Sequence, residues 1–360
     1  MKIGVLTFHR SYNNGAILQA YALVNTLCQL GAEAEIIDFR NKAIEEPTRL
    51  VLKGEKFNIK LPFKVIFRYI RHKKADRFIK KNIPLSKPVV TDADFKNIEG
   101  NYNAFVTGSD QVWNDTHIKS NKCFFLDFVV NSDKKYSYAA SIGGNLDKAK
   151  ETVKLYDKFI RQYRTISLRE SNIEGYFKEI YGSKVRCDID PVFLPSKQQW
   201  IDLASQRLHK RKYIFMYLVP TSEHIRKFAE NLAKKYDCDL IDNKTSKEFF
   251  NNCGVDDFLS WFYNAEVIVT NSFHGTAFSI IFEKEFYVEM ESNIGFNYRV
   301  NQILKAVDID FNSVNITSDY HKNKVVHDYK NVSLKLNEIK NKSIDYLKEI
   351  VMTSNTEDYK

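Results

Sequence analysis

Apolar positions along the chain fall into two alternating patterns. Short β-rich runs of about five residues are followed by longer stretches whose apolar positions recur every three or four residues, the period of a helix packed on one face. Lys2 to Phe8 reads as a buried strand, and Gly15 to Leu30 as a helix with Ile17, Leu18, Tyr21, Ala22, Val24 and Leu27 on its apolar side. Gly31 ends it, and Ala34 to Phe39 is the next strand. This strand–helix–strand unit builds parallel sheets. Asn103 to Thr107, Tyr136 to Ala140 and Thr165 to Leu168 are further strands, with a helix over Leu146 to Tyr163.

A second series starts near residue 213. Tyr213 to Val219, Cys238 to Asp242 and Glu266 to Thr270 read as strands. Ser222 to Tyr236, Val255 to Tyr263 and Gly275 to Phe282 read as helices, the first with Ser222 as N-cap. A divider near 190–212 carries Pro191 and Pro195 and then a polar stretch. The expected fold is therefore α/β, two Rossmann-like domains facing a cleft: residues 1–195, residues 196–330, and a C-terminal helix and tail over 331–360, with the helix from about Ser333 to Val351.

Composition narrows the classes. The chain has 360 residues and a mean hydropathy of −0.40, and no apolar run approaches the roughly 18 residues of a membrane span. The apolar stretch after Met1-Lys2 is too short for a signal peptide, so a cytoplasmic location is expected. The five cysteines are odd in number and far apart, which fits reduced thiols and argues against a zinc site or a disulfide framework. No metal is expected, because the histidines are scattered without H-E-x-x-H spacing.

Open parallel sheets bind ligands beyond the carboxyl ends of their strands, so the strand-to-helix turns hold the candidate chemistry. Thr7 to Gly15 is a long polar loop before a helix N-terminus, with Asn13, Asn14 and Gly15 placed to meet an anion or a sugar hydroxyl. It has neither G-x-G-x-x-G spacing nor a Walker lysine. Thr107 to Asn114 brings together Asp110, Gln111 and Trp113: a carboxylate able to act as a base, an amide for hydroxyls and an indole on which a sugar could stack. Arg169, at a strand end, suits a carboxylate or phosphate through its planar fork, or else an ion pair with Glu170 or another acid. Asn271, Ser272, His274 and Gly275 share one turn, which sets a histidine beside the amides of a helix N-terminus. No G-x-S-x-G elbow supports a serine hydrolase.

Together these segments resemble the polysaccharide pyruvyl transferase family. The resemblance rests on the segments 14–23 (NGAILQAYAL), 108–113 (GSDQVW), 137–141 (SYAAS), 166–170 (ISLRE), 190–194 (DPVFL) and 270–279 (TNSFHGTAFS), which occur in the family's order. The resemblance implies a glycosyltransferase-B-like architecture. It also implies transfer of pyruvate from phosphoenolpyruvate onto two hydroxyls of a sugar in a cell-surface or exopolysaccharide precursor, with a cyclic ketal formed and phosphate released. No cofactor is implied, since phosphoenolpyruvate is a co-substrate. By carry-over, Arg169, Asn271, Ser272, His274, Gly275 and Arg299 would bind the donor, and Asn13, Asn14, Gly15, Asp110, Gln111 and Trp113 would face the acceptor. His274 is expected as acid or phosphate clamp, Asp110 as base and Arg169 as charge clamp. Some members carry an arginine where this chain has Ser272, which leaves Arg299, or alternatively Lys284, as the second cation. Two other readings stay open: a nucleotide-sugar glycosyltransferase on the same fold, and a catalytically inactive protein that binds glycan or lipid phosphate.

The formal charge of +9, from 54 basic and 45 acidic residues, is concentrated. Residues 60–81 hold nine basic side chains against Asp76, a net of +8, so the rest of the chain nets +1. Phe63, Ile66, Phe67, Ile70 and Phe78 recur there at helical spacing. The apolar face either packs on the N-terminal domain or lies on the anionic inner face of a membrane, where a polyprenyl-linked acceptor would be found. The basic residues do not interleave with aromatics as in nucleic-acid modules, so no nucleic-acid partner is expected.

Overall fold

The computed structural model describes residues 1–41, 45, 49–52, 54–55, 61–289, 294–316 and 327–355. The chain divides into two compact units, Met1–Leu194 with Ile339–Lys360 (unit 1) and Pro195–Glu338 (unit 2). Each is a Rossmann-like α/β unit around a parallel sheet.

In unit 1 the strands β1 (Lys2–Leu6), β2 (Glu33–Ile36), β3 (Ala104–Thr107) and β4 (Lys135–Ser137) lie in the order β2-β1-β3-β4. Every pairing is parallel, with Ile3 beside both Ala34 and Ala104. Parallel bridges Tyr136–Thr165 and Ala140–Leu168 continue the sheet to β5 (Ile166–Leu168), which pairs with β6 (Val185–Cys187). In unit 2, β7 (Tyr213–Tyr217), β8 (Asp239–Asp242), β9 (Val267–Thr270) and β10 (Glu285–Val288) lie in the order β10-β9-β7-β8, again all parallel. Each unit thus follows the order second, first, third, fourth. The chain reverses its direction of travel between β1 and β3, and again between β7 and β9. Those two switch points are where such sheets leave a crevice for ligands.

The longer helices are α1 (Asn14–Gln29), α2 (Leu61–Asn82), α3 (Leu146–Ile160), α4 (Glu174–Tyr181), α5 (Glu223–Tyr236), α6 (Val255–Asn264), α7 (Phe273–Ile281), α8 (Ile294–Ala306) and α9 (Tyr329–Asn355). Asn13 caps α1 by accepting from the Gly15 amide at 3.0 Å, and Ser222 caps α5. Helix α9 serves both units: its residues up to Glu338 belong to unit 2, and those from Ile339 to unit 1. In unit 1 it is tied down by Tyr346, whose hydroxyl donates to the Ser137 carbonyl at 2.8 Å, and by Ser343, which donates to Asp188 at 2.8 Å.

The core of unit 1 is aromatic. Trp113 is fully buried, stacks on Phe125 with centroids 5.5 Å apart, and donates its indole N–H to the Phe124 carbonyl at 3.1 Å. Helix α2 departs from one of its two expected placements. Phe78 packs inward, but Phe63, Ile66 and Ile70 stay exposed, so its apolar side does not pack on unit 1 as a whole. Lys60 lies outside the described residues. Among the described residues no helix is long and apolar enough to cross a membrane.

Candidate functional site

The polar turns that the sequence singles out all sit at carboxyl ends of strands, as the fold requires. In unit 1 the turn after β1 is held by buried polar side chains. Gln19, on α1, donates to the Thr7 hydroxyl at 3.0 Å, which in turn donates to the Ser109 carbonyl at 2.6 Å and so joins the turns after β1 and β3. A Cβ on Gly108 would come within 2.9 Å of the Thr7 Cβ, so this close approach requires glycine. Asn14 and Gly15 are buried in the first turn of α1, while Asn13 is exposed and spends its side chain on the cap.

Beside this turn lies a small, partly open pocket lined by Phe8, His9, Arg10, Asn41, Glu45 and Phe124 among others. Two of the lining residues, His9 and Arg10, are held by Asp38, just past the end of β2. Asp38 takes hydrogen bonds from Arg10 at 2.6 and 2.9 Å and from Arg40 at 2.8 and 3.1 Å, and meets His9 Nε2 at 3.0 Å. Burial would raise the Asp38 pKa, but the bonds to His9, Arg10 and Arg40 outweigh it and hold the carboxyl well below the usual range. The sequence places His9 and Arg10 within the polar loop over Thr7 to Gly15 without a role of their own, and does not single out Asp38 or Arg40. The available signal was the acid closing β2 and the His-Arg pair closing β1.

In the turn after β3, Asp110 adopts a left-handed backbone with φ of 76°, uncommon for a residue with a side chain. Its Oδ1 accepts from the Gln111 amide at 2.8 Å and its carbonyl from the Ser141 amide at 3.0 Å. Asn114 donates to Gln111 Oε1 at 2.7 Å. Asp110 and Gln111 are half-buried and accessible to a ligand. Trp113 is not: it is a core residue with 0% exposure, stacked between aromatic neighbours, and the expected sugar-stacking role is corrected accordingly.

Arg169, just past β5, is 4% exposed and donates to Asp190 Oδ2 at 2.8 Å. Burial would lower its pKa, and the charges of Asp190, Glu170 and Asp110 more than offset that and raise it. One guanidinium thus sits among three carboxylates, a setting that favours a structural ion pair over capture of a multiply charged anion. Glu170 itself accepts from the Ser141 hydroxyl and from the Gly143 amide.

In unit 2 the turn after β9 is built to a tight tolerance. Thr270 Oγ1 donates to the Tyr217 carbonyl at 2.6 Å and accepts from the Ser272 amide at 3.0 Å. A Cβ on Gly275 would fall 2.3 Å from that oxygen, so only glycine fits. Asn271 is a latch: its Oδ1 accepts from the Val219 amide at 2.9 Å and its Nδ2 donates to the Pro220 carbonyl at 3.2 Å, joining the two strands of the switch point. Ser272 caps α7, accepting from the Gly275 amide at 3.4 Å. His274 is the second residue of that helix and half-buried, its ring edge-on to Phe273 at 5.3 Å. From α8, Arg299 places its guanidinium 5.5 Å from the centroid of the same Phe273 ring and is 9% exposed. Sequence-distant Arg299 and His274 are therefore gathered around one aromatic side chain at a helix N-terminus. Lys284 is not part of this group. It precedes Glu285, which pairs with Val267 at the amino ends of β10 and β9, the opposite end of the sheet from Asn271. Two neighbours were missed: Glu289, past β10, accepts from Ser222 at 3.0 Å and faces His224 Nδ1 at 2.9 Å.

Among the described residues no three His, Cys, Asp or Glu side chains are grouped to hold a metal. Of the expected donor residues, Arg169 belongs to unit 1 and Asn271, Ser272, His274, Gly275 and Arg299 to unit 2.

Two parallel α/β units with polar, glycine-tightened turns at their switch points define the class: Rossmann-like folds that bind ligands at strand ends. Within it, the family model for polysaccharide pyruvyl transferase matches residues 13–289, most of the chain, and the chain belongs to that family. No curated protein matches it significantly. Among solved structures it is similar to a UDP-GlcNAc 2-epimerase from Neisseria meningitidis, with 9% identity, 99% of this chain and 100% of that chain covered, and a TM-score of 0.47. A UDP-GlcNAc 2-epimerase from Methanocaldococcus jannaschii gives 12%, 95%, 93% and 0.43. A glycosyltransferase from Streptomyces sp. SF2575 gives 9%, 99%, 96% and 0.40.

Proposed function

We propose that the chain transfers pyruvate from phosphoenolpyruvate to two hydroxyls of one sugar in a cell-surface or exopolysaccharide precursor. The observation that carries the donor half is that His274 and the nine-tenths-buried Arg299 both lie against Phe273, at the N-terminus of α7. A histidine, a guanidinium and first-turn amides form a suitable setting for phosphate and carboxylate oxygens.

The reaction sets the remaining demands. Carbon 3 of phosphoenolpyruvate gains a proton and becomes a methyl group, which leaves carbon 2 electrophilic. One sugar hydroxyl adds to carbon 2, and the second displaces phosphate. Of the two protons released by the hydroxyls, one balances the new methyl group and the other leaves with phosphate. His274 supplies the acid or clamps the phosphate, and Arg299 offsets the charge of the departing group. On the acceptor side, Asp110 is the base, aided by Gln111 and the turn over residues 13–15. Arg169 acts as a positioning residue that holds the carboxylates of unit 1 in place.

Mass spectrometry of candidate glycans incubated with the protein and phosphoenolpyruvate tests this reading. A product carrying a pyruvyl ketal, formed with release of phosphate, supports it. Tight binding of a nucleotide sugar together with no binding of phosphoenolpyruvate overturns it.

A further inference from the structure

The basic helix α2 has two faces with different partners. At about 100° per residue, Leu61, Ala75, Phe78 and Ile79 fall on one side, and these are its buried residues. That side is pinned to the turn after β1 and to α1. Tyr12 stacks on His72 with centroids 3.8 Å apart, Arg10 comes within 3.9 Å of Asp76, and Phe78 packs edge-on to Tyr21 at 6.2 Å. The helix is therefore a fixed part of unit 1.

The opposite side is divided along its length. In the first half Phe63, Ile66, Tyr69 and Ile70 are 74%, 56%, 50% and 40% exposed. In the second half the exposed positions are Lys73, Arg77, Lys80 and Lys81. No ion pair among the described residues engages those four cations, whereas Arg68, further round the helix, is neutralised by Glu55 at 2.6 Å. Four large apolar side chains presented to solvent on one helix face are unusual for a monomeric surface. A solvated charged face does not account for them, and a nucleic-acid groove would not favour them.

We propose that this face of α2 docks on an anionic lipid surface. Phe63, Ile66, Tyr69 and Ile70 enter the boundary between headgroups and acyl chains, while Lys73, Arg77, Lys80 and Lys81 pair with headgroup phosphates. Both requirements of an interfacial helix, apolar insertion and opposite charge, are met on a single face. Because the buried face is fixed to the turn over residues 7–15, docking would hold the pocket of unit 1 at a set place relative to the lipid. The inference does not depend on the donor or on the reaction.

The test is co-sedimentation of the full chain with vesicles of phosphatidylcholine alone and of phosphatidylcholine mixed with phosphatidylglycerol. The expected result is binding to the mixed vesicles only, reversed by salt. The triple variant Phe63→Ser, Ile66→Ser, Ile70→Ser is expected to bind about tenfold more weakly or worse. Each of Lys73→Ala, Arg77→Ala, Lys80→Ala and Lys81→Ala should cost about fivefold. All these side chains are exposed, so unchanged thermal melting will verify that the variants fold. Equal binding to both vesicle types, binding to neither, or variants that bind like the wild type would overturn the proposal. So would light scattering that shows a dimer dissolved by the triple variant, or binding to duplex DNA as strong as to lipid.

Discussion

Asp38 collects bonds from His9, Arg10 and Arg40, and its pKa is depressed in the folded chain. A depressed carboxylate contributes stability that is complete above its unfolded pKa of about 4 and drains away as pH falls below it. Urea unfolding followed against pH should therefore show wild-type stability falling in acid, with a shallower fall in Asp38→Asn. At pH 7 that variant should lose about 1–3 kcal/mol, the value of hydrogen bonds to a charged group. Trp113→Ala should cost about 3–5 kcal/mol as a core truncation, a loss read by chemical unfolding rather than as a selective rise in acceptor KM. His274→Ala should lower turnover by about a hundredfold or more while melting like the wild type, since its ring is half-buried beside Phe273. The turns containing Asn14, Asp110 and Ser272 were legible in sequence because a polar cluster breaks an apolar run there. The Asp38 group was not, since His9 and Arg10 lie 29 and 28 residues before Asp38 and meet it only through the pairing of β1 with β2. Trp113 misled for a related reason: a polar local context surrounds a side chain whose direction is set by packing on Phe125 and Phe177.

At the scale of elements, the readable strands were β1 to β5 and β7 to β9, each of which carries apolar residues bounded by a polar turn. The strands β6 and β10 were not, because Arg186 interrupts the apolar run of the first and Lys284-Glu285 opens the second, and they form along the edges that β5 and β9 offer. Helix α8 escaped notice as well, and with it the element that carries Arg299, which only the family resemblance singled out. The buried carboxylate of Asp188 ties three elements together, accepting from Ser167 on β5 at 2.6 Å, from Arg186 on β6 at 2.7 Å and from Ser343 on α9 at 2.8 Å. Ser343→Ala should remove one such bond and cost about 1–2 kcal/mol. Asp188→Ala should cost about 3–5 kcal/mol, because it leaves the partly buried Arg186 without its counter-charge. Thermal melting of the two variants side by side checks the ranking.

For the whole molecule, a ligand that binds only the folded state raises its stability by about 2.7 kcal/mol at a hundred times its Kd. Saturating phosphoenolpyruvate should therefore raise the melting temperature of the wild type, and Arg299→Ala should abolish the shift without lowering the ligand-free value by a comparable amount. The division of α9 between the units has a separate consequence, for the order in which the protein is made. A ribosome delivers residues 1–194 first, then all of unit 2, and only afterwards the Ser343 and Tyr346 that bond to Asp188 and Ser137. The half that emerges first is thus the half that finishes last. A chain truncated after residue 338 and released should carry a protease-resistant unit 2 downstream of a unit 1 still open to cleavage.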